Sequence, residues 1–388
     1  MMNMTASENA PATQSTKGLQ GVVAAQTAIS YIDGQNGRLV YRGIDINELA
    51  EKSTFEETTA LLWYGKLPNQ TQLERFRQKF AENRVIPPEI ISIFFSLPKT
   101  TSPMSALRTA VSALGPFDQF EGQQSESSLE SNVAKSIRLT SCMPTLVAAW
   151  DRIRKGLWPI MPREDLSHTA NFVYMLTGEV PSETAARMLD TAFILHADHG
   201  LNASTFAARI TASTLSNLHS AVVSAIGTLK GPLHGGANED VMRMLLEVGE
   251  AERVDQFLRG ALTAKRKIPG FGHRVYKVED PRAKWLRDLS RQVAEDSGNM
   301  RWFEMSERIR DYMYEHRDLP VNVDFYSASL YYAMGVPIDI FTPLFAISRV
   351  SGWTAHVYEQ LSDNRLIRPG SEYIGPTSVK YASIEERA

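Results

Sequence analysis

What this 388-residue chain has least of is cysteine, with Cys142 the only one. A single thiol excludes an intrachain disulfide, a zinc site made wholly of cysteines and a cysteine-held iron–sulfur cluster. It fits a reducing cytoplasm. Its surroundings, Ser-Cys-Met-Pro and then Leu-Val-Ala-Ala-Trp, read as a helix interior, where a free thiol is buried rather than reactive. No uninterrupted apolar run approaches the ~18 residues of a membrane span. Residues 1–17 are polar and lack an apolar stretch and arginine. That excludes a secretory signal, makes a poor mitochondrial presequence and reads as a disordered tail. Charge of one sign is not in surplus: 41 Lys and Arg against 44 Asp and Glu leave a formal charge of −3, which argues against a nucleic-acid partner. The pattern G-x-x-x-x-G-K-[ST] is absent. Gly270-Phe-Gly272 begins a dinucleotide-like run without its third glycine, and the alternating strands that such a site needs are missing. ATP hydrolysis and nicotinamide chemistry are therefore not expected. With 43% hydrophobic residues, the chain has material for a core without a disulfide or metal staple, and its length suggests two domains.

Helical periodicity organises most of what is there. Trp302, Met305, Ile309 and Met313 predict a helix over 301–315, and Val254, Phe257, Leu258 and Leu262 one over 251–263. Asp280-Pro281 reads as an N-cap followed by proline at the first helical position, ahead of the stripe Trp285, Leu286, Leu289 and Val293. Ser53-Thr-Phe-Glu56 resembles a capping box before Leu61, Leu62 and Trp63. Strand signal is confined to 28–32 and 38–41, which flank Asp33-Gly34 and Asn36-Gly37 and predict a hairpin. Residues 121–131 are the lowest in complexity, an exposed loop or a frayed helix start. The expected fold class is all-α with one small N-terminal β-hairpin.

Several of the eight histidines lie in glycine-rich punctuation, where functional side chains concentrate. His196 and His199, three apart, are either a metal-holding pair or a core histidine and one at a helix end. His234, in Gly231-Pro-Leu-His-Gly-Gly-Ala-Asn238, lies just before a helix N-terminus. This is either a plain turn or a place where backbone approaches a ligand and the helix dipole keeps the imidazole neutral, able to donate to a carbonyl. His273 follows Gly270 and Gly272 and is surrounded by Lys265, Arg266, Lys267, Arg274 and Lys277. That is a solvated charge run or an anion site with phosphates in reach of Arg274 and the lysines. Arg282 sits at a helix start, unfavourable for a cation, which points to a carboxylate-clamping role. Asp324 stands where an N-cap would, and is either that cap or a general base among Val323, Phe325 and Tyr326. Arg349 interrupts an apolar helix and so should have an anionic partner, although it and Arg368 also read as ordinary surface arginines.

Together these segments resemble the citrate synthase family. GPLHGGAN, GFGHRVYK-x-x-DPR and NVDFYS occur in that family's order and at its separations. YIDG-x-x-G-x-L-x-YRGI-DI, HADH-x-x-NAS and SRV-x-GW-x-AH match as well, so the likeness runs from about residue 18 to 375. The resemblance implies an acyltransferase that condenses acetyl-CoA with oxaloacetate and hydrolyses citryl-CoA to citrate and CoA, at the entry to the tricarboxylic acid cycle. It implies Asp324 as the base, His234 as the hydrogen-bond donor to the thioester oxygen and His273 as the group that serves the ketone oxygen. Oxaloacetate would be held by His199, Arg282, Arg349 and, from the partner subunit, Arg368. CoA would lie along Lys265, Lys267, Gly270, Gly272, Arg274 and Lys277.

The resemblance also implies a two-domain fold. Residues 18–221 and 329–388 would form a large, dimer-making domain, and 222–328 a small mobile one that closes to exclude water. A cytoplasmic homodimer follows, its active sites completed across subunits, with acetyl-CoA as co-substrate, no resident cofactor or metal, and no nucleic-acid or membrane partner. The chain is of the short type without an extra N-terminal β domain, so NADH regulation is not expected. Ser327-Ala328 stands where many relatives have Ser-Gly, and the residues after Arg368 depart from the commoner continuations. Three rivals remain: a 2-methylcitrate synthase that uses propionyl-CoA, because one methylene in an apolar pocket is worth only about 1–3 kcal/mol; a metal-dependent hydrolase built on His196 and His199; and a helical scaffold without chemistry.

Overall fold

A computed structural model describes residues 17–19, 21–120 and 128–387. The expected tail, but for Lys17, and residues 121–127 of the low-complexity segment lie outside the described residues. Sixteen α-helices and one small sheet are found among the described residues, so the expected all-α class with an N-terminal hairpin holds. The chain divides into two units. Residues 27–366 form one, and residues 1–26 with 367–388 form the other. In the terminal unit the regular elements among the described residues are the short turns Lys17–Leu19 and Ile384–Glu386.

The sheet has three strands where a hairpin of two was expected. Ser30–Asp33 pairs antiparallel with Arg38–Tyr41, Ser30 facing Tyr41 and Asp33 facing Arg38. Arg38–Tyr41 then pairs with the two-residue strand Ile44–Asp45. Two residues carry too little pattern to be read as a strand. Asp45 ends this strand and caps the helix Ile46–Lys52, accepting from the Asn47 N–H. The hairpin turn is closed by Asp33, whose Oδ1 accepts from the N–H groups of Gln35 and Asn36 at 3.0 Å each.

The centre of the larger unit is the helix Phe341–Ser362, buried at every position from Phe341 to Tyr358. Its buried polar side chains, among them Ser348, Arg349, Thr354 and His356, therefore need partners inside the protein. The helix packs against Phe55–Tyr64, Leu129–Arg154, Glu183–His196, Ala203–Ser213 and Leu218–Leu229. Cys142 lies inside Leu129–Arg154 and is buried. Burial pushes its thiol up to about 12, so it stays protonated and inert.

The helices read from periodicity are present as Val254–Thr263, Pro281–Asp296 and Arg301–Arg317, with Val254, Leu258, Leu286, Val293, Trp302, Met305, Ile309 and Met313 buried. Asp280 caps Pro281–Asp296 as expected, accepting from the Arg282 N–H. The expected capping box at Ser53–Glu56 does not form. Thr54 caps Phe55–Tyr64 by accepting from Glu57, and Glu56 is turned inward to accept the His168 N–H at 2.9 Å. Among the described residues no helix is long and apolar enough to cross a membrane.

Candidate active site

The site is assembled from four chain segments that end or begin helices. The first follows Glu183–His196. His196, the last residue of that helix, has Nδ1 2.7 Å from the Ala192 carbonyl and its ring edge-on to Phe345 at 4.9 Å. Burial pushes it down to about 3. His199 turns elsewhere: its Nε2 is 3.2 Å from the Tyr276 hydroxyl and its ring 5.2 Å from that of His273. Burial, then the charge of Arg282, hold it well below 6.5. The two rings are thus committed to separate partners, and no group of three or more metal-ligating side chains occurs among the described residues.

The second segment is the turn between Leu218–Leu229 and Ala237–Val248. Its geometry is set by the His234 N–H donating to the Gly231 carbonyl and the Gly235 N–H to that of Leu229. His234 Nε2 accepts from the Ser204 N–H at 3.3 Å. The Ser204 hydroxyl lies 2.8 Å from the same nitrogen and 2.8 Å from Asn202 Oδ1, and with Nε2 unprotonated its one proton goes to the imidazole. A backbone N–H only donates, so the ring proton of a neutral His234 sits on Nδ1. The imidazole is pushed down to about 4, by burial first and the Arg349 charge second. Desolvation is thus the first cause that keeps this imidazole neutral.

The third and fourth segments are clamped together by an isolated bridge between Phe271 and Val321. The Gly272 N–H donates to Pro320 at 2.8 Å, and the Asn322 N–H to Gly270 at 3.0 Å. Gly270 has φ +83°, and a Cβ there would lie 2.7 Å from the Phe325 ring, so only glycine lets the strands meet. Next along, His273 Nδ1 accepts from the N–H groups of Val275 and Tyr276 at 3.0 and 3.1 Å. That places its proton on Nε2, which has no hydrogen-bond partner among the described residues. Burial and Arg282 push it down to about 4.

Asp324 corrects one expectation. The cap of Val323–Ala333 is Asn322, whose Oδ1 accepts from the Asp324 N–H at 3.0 Å. Asp324 is one residue into the first turn, and its carboxyl has no hydrogen-bond partner among the described residues. Burial pushes it up to about 7, against the pull of Arg282 and Arg349.

The arginines differ from one another. Arg282 is buried and forms a two-point pair with its own helix cap, Nε to Asp280 Oδ1 at 2.9 Å and Nη2 to Oδ2 at 2.7 Å. The charge that looked misplaced at a helix start is thus balanced locally. Arg349 meets the expectation of burial but lacks the expected anionic partner. Its Nε donates to the His196 carbonyl at 2.5 Å and its guanidinium lies 4.5 Å over Phe345. It forms no ion pair among the described residues, and burial pushes it down to about 10. At that value it is still a cation at neutral pH. Arg368 is exposed and belongs to the terminal unit.

In the basic run Lys265, Lys267, Arg274 and Lys277 are exposed and Gly270 is buried. Arg266 is taken out of the run by Glu247, at 2.7 and 2.6 Å. The Lys277 N–H donates to the Gly34 carbonyl at 2.8 Å, so the hairpin turn braces the loop that carries His273. Sequence reading missed Asn322, Ser204 and Tyr276, and it gave Asp280 as a helix cap without its pairing to Arg282. Of the three missed, Asn322 left a signal, an Asn at capping position two residues ahead of Asp324.

Known proteins share this chain's sequence and fold over nearly its whole length. The family profile described as "Citrate synthase, C-terminal domain" matches residues 18–370. The chain is 50% identical to Citrate synthase 2 of Bacillus subtilis over 96% of this chain and 99% of that one. It is 41% identical to the Citrate/2-methylcitrate synthase of the same organism, over 92% and 96%. A solved ternary complex of carboxymethyl coenzyme A and oxaloacetate with the citrate synthase of Thermoplasma acidophilum superposes with a TM-score of 0.90 at 29% identity, covering 96% of this chain and 99% of that one. Matched over nearly its whole length by the profile and half identical to a citrate synthase, the chain belongs to the citrate synthase family of condensing acyltransferases.

Proposed function

We propose that this enzyme joins the methyl carbon of acetyl-CoA to the ketone carbon of oxaloacetate through Asp324, His234 and His273. Asp324, as carboxylate, takes a proton from the methyl group. His234 donates its Nδ1–H to the thioester oxygen and stabilises the enol. As the new carbon–carbon bond forms, His273 donates Nε2–H to the ketone oxygen, which becomes the hydroxyl of citryl-CoA. Water then cleaves the thioester and releases CoA and citrate. The dianion oxaloacetate is held by His199, Arg282 and Arg349, with Arg368 reaching in from the partner subunit. CoA runs along Lys265, Lys267, Gly270, Gly272, Arg274 and Lys277. Acetyl-CoA is a co-substrate, and the reading calls for no resident cofactor.

The observation that carries the proposal is the pairing of one carboxyl left without a partner, Asp324, with one buried guanidinium left without an anion, Arg349. Both are costly to the fold and useful to a carbanion reaction on a dianion. We propose further a cytoplasmic homodimer in which 222–328 closes as a small domain on a large one made of 18–221 and 329–388. The test is release of free CoA from oxaloacetate with acetyl-CoA or with propionyl-CoA, compared by kcat/KM. Preference for acetyl-CoA supports the reading. Preference for propionyl-CoA replaces it with 2-methylcitrate synthesis, and release with neither overturns it.

A further inference from the structure

One motif near the C-terminus, SRV-x-GW-x-AH, supplies Arg349 to the mechanism but leaves its glycine and histidine without a task. They share one face of Phe341–Ser362, since 349, 352 and 356 are spaced by three and four residues. Along that face the helix touches three consecutive residues of the segment that ends in His199. Arg349 Nε donates to the His196 carbonyl at 2.5 Å. The Gly352 N–H donates to the Ala197 carbonyl at 3.1 Å. His356 Nε2 lies 3.3 Å from Asp198 Oδ1, both side chains fully buried. The approach is so close that a Cβ on Gly352 would stand 2.4 Å from the Ala197 oxygen.

Asp198 is itself fixed from the other side. Its Oδ2 accepts from the Ser30 hydroxyl at 2.6 Å and from the Gly200 N–H at 3.0 Å. Tyr41 holds its backbone, accepting the Asp198 N–H at 3.1 Å and lying 2.7 Å from its carbonyl. His356 is fixed in turn by Arg209, whose Nη1 lies 3.4 Å from Nδ1. The same helix sends Trp353 Nε1 to the Ser204 hydroxyl at 3.1 Å, next to His234. Arg349 and His356 are seven residues apart, about 10 Å along the axis, so His356 does not touch what Arg349 binds.

We propose that Asp198 and His356 are positioning residues: their contact fixes the axial register of Phe341–Ser362 against residues 196–199 and thereby the spacing of Arg349 and His199 on oxaloacetate. This rests on the substrate reading above. Burial alone would favour a neutral Asp198, yet His356 and Arg349 hold its carboxyl below the ordinary range. That agrees with a charged post at the end of the stripe.

The experiment uses the full chain and the variants His356→Phe, His356→Gln and Asp198→Asn, with kcat, the KM of each substrate and the melting temperature measured for all. A register error of about an ångström costs on the order of ten- to a hundredfold. His356→Phe should therefore raise the KM for oxaloacetate and lower kcat by about tenfold or more, with the KM for acetyl-CoA within about twofold. His356→Gln, which keeps a donor, should recover most of the loss. His356→Phe combined with Asp198→Asn should be no worse than the poorer single variant, as expected for one shared contact. Should His356→Phe fail to fold, Asp198→Asn alone must show the same split between the two KM values. An active wild type whose variants melt lower but keep both KM values and kcat, or shift both KM values equally, overturns this inference alone. A wild type that turns over neither substrate overturns the substrate reading and this inference with it.

Discussion

The side-chain oxygen of Asn322 accepts the backbone N–H of Asp324 at 3.0 Å, and that bond relieves the aspartate of capping duty. The carboxyl is left without a partner in an environment that disfavours its charge. Asp324→Asn should lower kcat by about two decades or more, in line with loss of a general base. It should also melt higher than wild type at pH 8. The sign follows from linkage: a folded pKa raised from 3.8 to about 7 means the folded state is penalised as the carboxyl ionises. The penalty grows between those values and is full above 7, at up to about 4 kcal/mol. The stability gain of the variant should therefore shrink as pH falls from 7 to 4. A variant no more stable than wild type at pH 8 would count against the buried, unpartnered carboxyl.

The same carboxyl should set the acid limb of the rate profile. With Asp324 near 7 and both His234 and His273 near 4, the aspartate is the one of these three that changes charge between pH 5 and 8. The kcat/KM for acetyl-CoA should fall about tenfold for each pH unit below about 7 and level off above it. A profile flat from pH 5 to 7 would show that the base ionises elsewhere.

Asn322 serves two segments at once, because its Nδ2 also donates to the Gly272 carbonyl at 3.0 Å. Asn322→Ala should cost about 1–3 kcal/mol through a lost cap and a lost hydrogen bond, and should lower kcat by freeing the loop of His273 from the helix of Asp324. Asn322→Asp keeps the capping oxygen but adds a negative charge beside Asp324. Its acid limb should move to higher pH, which a repeat of the rate profile would register.

The hairpin turn should matter to catalysis although it lies far from His273 in sequence. A Cβ on Gly34 would stand 2.3 Å from the Val275 carbonyl, whose N–H is one of the two that orient His273. Gly34→Ala should lower kcat by about tenfold or more. Gly260→Ala, in a helix with open space around it, should leave kcat unchanged and stabilise slightly. Equal activity of the two variants would disconnect the hairpin from the site.

Much of this was legible because it is local. Asp280 caps its helix in the sequence as in the structure, and the stripe Trp302, Met305, Ile309, Met313 is buried as its spacing requires. His234, His273 and Asp324 stood out through the glycines and prolines around them. What sequence could not give depends on side-chain direction or on distant partners. The pairing of Arg282 with Asp280, two residues away, turns on side-chain direction, and Arg266 left the basic run for Glu247, nineteen residues upstream. Ser204 meets His234 across thirty residues. The capping box read at Ser53 is absent because Thr54 takes the cap and Glu56 turns inward to a buried N–H 112 residues away.

Because Phe341–Ser362 is both the innermost helix and among the last to be synthesised, the nascent chain has to wait with its centre vacant. Residues 196–199 and 234 leave the ribosome well before the helix that fixes their register, so they cannot reach their working geometry during translation. At roughly 5–20 residues per second, residue 234 precedes the end of that helix by roughly 6–26 s of synthesis. This enzyme's assembly is closed by its end rather than grown from its beginning, and a chain that stopped short of residue 341 would lack a keystone rather than an appendage.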